Sequence, residues 1–124
     1  MTEVPRGLDI GLEEDKDCLI VRLSGDVDLV SAPKFRGSLL GLLNTWNGPV
    51  VVDMTDVGFI DSNGLNVLAA GSQRARQLER PFSVAGLRPH ALKLFKITSL
   101  DLLIPIYDNV EDACSASEAD GQRS

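Results

Sequence analysis

Histidine is almost missing from this 124-residue chain: there is one, His90. A serine or cysteine nucleophile that works through an imidazole base therefore has a single candidate partner. Cysteine is nearly as scarce. Cys18 and Cys114 are too few for a disulfide scaffold and lack metal-ligand spacing, so two inert buried thiols are the default expectation, with a regulatory disulfide between them as the alternative. No apolar run reaches the roughly 18 residues that a spanning helix needs. The start, Met1-Thr2-Glu3-Val4-Pro5-Arg6, lacks the apolar core of a signal peptide, and a cytoplasmic location is expected. Basic residues are outnumbered, 12 against 18 acidic, for a net charge of −6. That disfavours general nucleic-acid binding and an anionic membrane surface. Neither GxGxxG nor GxxxxGK followed by a hydroxyl occurs, so no intrinsic nucleotide cofactor is implied.

What is present reads as one α/β domain. Apolar residues make up 44 %, a globular composition. Leu8, Ile10 and Leu12 alternate with Asp9 and Gly11, as in a half-buried strand. A charged turn leads to Cys18–Leu23, a more apolar strand, and the short connection implies a hairpin. Residues 24–28 break that strand. Ser31-Ala32-Pro33 is a helix start, and Phe35, Leu39, Leu42 and Leu43 form one apolar face. Val50–Met54 is a third strand, apolar on both faces. Leu65, Leu68, Ala69, Ser72, Ala75 and Leu78 then recur at helical spacing, with a solvated face carrying Gln73, Arg74, Arg76, Gln77 and Arg80. Phe82–Ala85 is a fourth strand, Arg88-Pro89 opens a third helix, and Leu102–Ile106 reads as a fifth strand. Asn109 is placed to cap a last helix, with Asp112 in its first turn. The order predicts a mixed sheet, a β-hairpin followed by βα repeats, packed by about four helices. Residues 1–7 are expected to be a flexible lead-in, 8–115 the domain and 116–124 a flexible tail.

The chain is organised around residues 53–65, where a β-branched run gives way to Asp61-Ser62-Asn63-Gly64 at a helix entrance. Asp and Ser are preferred caps, and capping is the ordinary reading of this turn. The other reading is a hydroxyl placed for chemistry. A hydrolase is disfavoured, because glycines do not flank Ser62 in the elbow pattern and His90 lies a helix away. Asp26, Asp28, Asp53, Asp56 and Asp61 fall near the carboxyl ends of strands, where α/β folds place functional loops. They lack a calcium-loop spacing and read as turn and cap residues, so no metal is expected. His90, in a helix's first turn, reads as a surface residue.

Three segments together carry a resemblance: Leu23-Ser24-Gly25-Asp26-Val27-Asp28, Val50-Val51-Val52-Asp53-Met54-Thr55, and Phe59-Ile60-Asp61-Ser62-Asn63-Gly64-Leu65. They resemble the STAS domain of bacterial anti-sigma factor antagonists, over about residues 8–115. The resemblance implies a non-enzymatic partner-switching module. Its unphosphorylated form would bind an anti-sigma factor that is also a serine kinase, freeing the sigma factor. Phosphorylation of the serine matching Ser62 would end binding, and a separate serine phosphatase would reset it. Members often carry a second hydroxyl next; Asn63 stands here instead, leaving Ser62 the one hydroxyl in the turn. Asp28 matches an aspartate implicated in partner contact, and Asp61, Ser62, Asn63 and Gly64 complete the expected partner-binding set. Two alternatives remain open. One is a STAS binding module governed by thiol redox state or a small ligand; the other is a small serine hydrolase.

Overall fold

The computed structural model describes residues 7–121. Residues 1–6 and 122–124, which hold most of the expected lead-in and the end of the expected tail, lie outside the described residues. The elements run β1 (Leu8–Asp15), β2 (Cys18–Val27), α1 (Ala32–Thr45), β3 (Val50–Ile60), α2 (Ser62–Gln77), β4 (Phe82–Ala85), α3 (Pro89–Ile97), a 3₁₀ turn (Leu100–Leu102), β5 (Ile106–Tyr107) and α4 (Val110–Gly121). The sheet order is β1-β2-β3-β4-β5. The β1–β2 hairpin is antiparallel and every later pair is parallel, which is the mixed α/β sheet expected.

Helices cover both faces. On one, Leu19, Val21 and Leu23 of β2, Val50, Val52 and Met54 of β3, and Phe82 and Val84 of β4 meet Phe35, Leu39 and Leu43 of α1, Leu65 and Leu68 of α2, and Phe95 of α3. On the other, Cys18, Ile20, Val51 and Ala85 meet Ala113 and Cys114 of α4. Asn109 caps α4 as the sequence suggests: its Oδ1 accepts from the Asp112 N–H at 2.8 Å.

Three expectations need correction. Residues 24–27 do not break β2, which continues to Val27. Gly25 makes this feasible at φ +118°, a conformation that L side chains rarely adopt. β3 likewise runs to Ile60, well past Met54. The register against β2 slips between Arg22 and Ser24 and again between Gly25 and Asp26. Each slip puts an extra residue on β3, so its buried positions step from Met54 to Val57 to Ile60 rather than by two. A strict alternation test cannot see such a strand. Last, β5 holds only Ile106 and Tyr107. Leu102 and Leu103 are exposed on a turn, and the strand starts after Pro105, which has no N–H to donate.

The arginines expected on the solvated face of α2 are not simply solvated, and Arg80 lies beyond the helix, which ends at Gln77. Arg80 donates to the Leu43 carbonyl and to Asn47 Oδ1, both at 3.0 Å, and Arg74 donates to Asn44 Oδ1 at 2.8 Å. They tie α2 and the turn that follows it to the carboxyl end of α1, where free carbonyls favour a cation.

Candidate functional site

Parallel pairing brings two turns together. Val27 is registered with Ile60, the last residues of β2 and β3, and the Asp61 N–H donates to the Val27 carbonyl at 3.2 Å. The residues that follow, from Asp28 and from Asp61, therefore leave the same end of the sheet side by side.

The β3–α2 turn is built on Asp61. It is the N-cap of α2, with extended backbone (φ −114°, ψ −172°). Its Oδ1 accepts from the Asn63 N–H at 2.8 Å and from the Gly64 N–H at 3.3 Å. The Asn63 amide reaches Asp61 Oδ2 at 3.5 Å, the outer limit of a hydrogen bond. Ser62 is thus the first helical residue and not the cap, and α2 begins three residues before Leu65. Its side chain is exposed. The hydroxyl that suggested capping from residue type is left over, because the neighbouring carboxylate performs the capping.

Gly64 is buried. A Cβ there would stand 2.7 Å from Val27 Cγ1, 2.8 Å from Ile60 Cγ1 and 2.8 Å from the Val27 carbonyl oxygen. Its missing side chain lets α2 close onto the ends of β2 and β3. That packing accounts for a glycine here. Asn63 is half-buried beside it, its N–H consumed by the cap.

The β2–α1 turn is built on Asp28 in the same way. Its Oδ1 accepts from the Val30 and Ser31 N–H groups, each at 3.0 Å. Ser31 makes no forward cap. Its hydroxyl instead donates back to the Asp26 carbonyl at 2.7 Å and accepts from the Asp28 N–H at 3.0 Å. Asp53 and Asp56, by contrast, lie inside β3 and not at its end. Asp53 accepts from the Thr55 hydroxyl at 2.6 Å and lies 3.8 Å from the Arg22 guanidinium.

Sequence reasoning missed the apolar rim of these turns. Leu29 and Val30 are 69 % and 87 % exposed, and Phe59 is 45 % exposed. The second register slip turns Phe59 outward. His90, exposed at the start of α3, stacks its ring on Phe59 with centroids 6.4 Å apart and planes 17° apart. Leu29-Val30 directly after the turn aspartate was a visible signal, since an apolar pair in a turn has no core to enter. The outward Phe59 had none, because it depends on pairing.

The anatomy can bind and be modified. Ser62 offers an unused exposed hydroxyl, two turns of fixed geometry flank it, and exposed apolar side chains lie on the same end of the sheet. Phosphorylation would add about −1.5 to −2 charges there. Asp61 already occupies the Asn63 and Gly64 N–H groups. A phosphate on Ser62 would therefore stand in solvent beside a carboxylate rather than settle into the helix end.

Comparison with known proteins gives a consistent result. The family model for the STAS domain matches residues 9–113. The anti-sigma-B factor antagonist of Listeria monocytogenes is 32 % identical over 108 residues, covering 86 % of this chain and 93 % of that protein. Among solved structures, an anti-sigma factor antagonist from Mycobacterium paratuberculosis superposes with a TM-score of 0.81 at 26 % identity, covering 90 % of this chain and 94 % of that one. The phosphorylated form of the Bacillus cell fate determinant SpoIIAA shares the fold at a TM-score of 0.69 and 15 % identity, covering 87 % and 98 %.

Proposed function

The chain belongs to the STAS domain family, and we propose on that footing that it is an anti-sigma factor antagonist switched at Ser62. Unphosphorylated, it binds an anti-sigma factor serine kinase and releases the sigma factor. Phosphorylated, it lets go, and a serine phosphatase restores it. It is a binding module and not an enzyme; ATP is the kinase's cofactor. It acts in the cytoplasm, without direct contact to nucleic acid or membrane. Among the described residues, no helix is long and apolar enough to cross a membrane.

The observation that carries this reading is the exposed Ser62 hydroxyl, spared from capping by Asp61. Asp28 and Asp61 fix the two turns, Asn63 completes the cap, and Gly64 sets how closely α2 approaches the sheet. Leu29, Val30 and Phe59 supply apolar area of the kind found in the buried centre of protein interfaces.

The switch is electrostatic. One like-charge contact at about 5 Å with an effective dielectric of 20 costs on the order of 3 kcal/mol, about a hundredfold in affinity. Ser62→Asp is expected to weaken kinase binding at least tenfold in a calorimetric titration. Incubation with the cognate kinase and ATP is expected to add one phosphoryl group to the wild type and none to Ser62→Ala. Equal labelling of both proteins would refute the assignment.

A further inference from the structure

The two cysteines that were expected to be inert thiols are bonded to each other: Cys18 and Cys114 form a disulfide with Cα atoms 5.9 Å apart and a sequence separation of 96. The bond joins the first residue of β2 to the middle of α4. It lies on the sheet face opposite α1 and α2.

Among the described side chains, that face is otherwise held by small residues, with Tyr107 and Val110 at its edge. Among the described side chains, α4 buries Ala113, Cys114 and Ser117, with Val110 and Ala116 partly buried. Apart from the cysteine these are small, and burial free energy scales with apolar area. The sheet beneath carries a polar group without a partner. Ser83 pairs in register with Val51, and Val51 with Ile20, so Ser83 shares their face. It is 3 % exposed, and its hydroxyl has no hydrogen-bond partner in the described structure. Docking α4 leaves that hydroxyl desolvated and unpaired, which works against docking. The Ser117 hydroxyl turns back to its own helix, to the Ala113 carbonyl at 2.9 Å, and does not answer it.

We propose that Cys18 and Cys114 are a reversible thiol–disulfide exchange site whose output is the docking of α4. With the bond formed, α4 is clamped over Ile20, Val51, Ser83 and Ala85. With it broken, α4 leaves and that face opens to water. The co-reactant is a low-molecular-weight thiol and its disulfide. A thiolate attacks the Sγ of Cys114, which at 7 % exposure is more open than Cys18 at 1 %. The Sγ–Sγ bond breaks, Cys18 leaves as thiolate and takes a proton, and Cys114 is held as a mixed disulfide. A second thiolate attacks the external sulfur, releasing Cys114 as a thiol and the small molecule as its disulfide. The reverse passes two electrons from the protein dithiol to that disulfide. The bridge fixes Cys114 to the first residue of β2, so α4 cannot leave while it is formed, whereas the small described face of α4 adds little.

This control is separate from Ser62. Cys18 begins β2 and Val27 ends it, so the two sites are about 30 Å apart along the strand. The test uses the full chain. Oxidised protein is treated with millimolar reduced glutathione under native conditions and followed by mass spectrometry and amide hydrogen exchange. We expect both thiols to appear and exchange in residues 110–117 to rise at least tenfold. Protection in β3 and α2 should be unchanged, and oxidised glutathione should restore the starting state. Cys114→Ala should show the fast exchange in either buffer, and Cys18→Ala provides a second route should that variant not fold. A bond that resists glutathione until the chain is unfolded would overturn the proposal. So would α4 exchange that is unchanged after reduction. Neither outcome depends on whether a kinase labels Ser62.

Discussion

Two turns at one end of the sheet use the same chemistry to different ends. In each, an aspartate follows a buried β-branched residue, and its Oδ1 accepts two backbone N–H groups: Val30 and Ser31 for Asp28, Asn63 and Gly64 for Asp61. Each turn also has a serine. Ser31 is nearly buried, and its hydroxyl is engaged with Asp26 and Asp28. Ser62 is exposed, and the cap does not use its hydroxyl. The difference follows from position. Ser31 lies three residues after its aspartate and bonds back over the turn; Ser62 lies one residue after its own, at an exposed position outside the cap. A serine at a helix start is thus structural or available according to its offset from the carboxylate, not its residue type.

Substitutions can break this comparison at several points. Gly64→Ala should have the largest effect on stability, about 1–3 kcal/mol, because the added methyl meets two side chains and a backbone oxygen. Denaturant unfolding measures it; a midpoint equal to the wild type would mean that α2 has room to move. Ser31→Ala comes next, at roughly 1–2 kcal/mol, since it removes the acceptor for the half-buried Asp28 N–H. If it proves as silent as a surface change, Ser31 is not the structural member of the pair. Asp61→Ala should cost about 1 kcal/mol as a lost cap, and hydrogen exchange should show fraying confined to the start of α2. Ser62→Ala should be the smallest, within about 0.5 kcal/mol of wild type. A thermal melt lowered as far as that of Ser31→Ala would show that Ser62 also carries structure.

The two faces of the sheet give a second contrast. One is filled by large residues such as Phe35, Leu39 and Leu68, all read from helical periodicity, and by Phe95. The other is filled by Ala113, Cys114 and Ile20 and closed by a covalent bond. Periodicity reports large apolar stripes, so the first face was legible and the second was not. Cysteine scarcity favoured free thiols over the alternative of a single bridge, and the structure shows the bridge, which needs only two thiols.

The sequence alone determined the element order, the hairpin and the mixed α/β sheet, and drew attention to residues 53–65. Hydrophobic spacing, proline and turn residues are local signals, and a local signal survives without the fold. It also singled out Ser62, through a resemblance spread over three segments. Tertiary structure alone decided the rest. Pairing registers pushed Phe59 outward and ran β2 and β3 to Val27 and Ile60. Close packing required a glycine at position 64. Competition for two N–H groups made Asp61 the cap and left Ser62 free. Proximity across 96 positions joined Cys18 to Cys114. Each of these depends on which distant atoms come within a few ångströms, and composition and spacing carry no record of that.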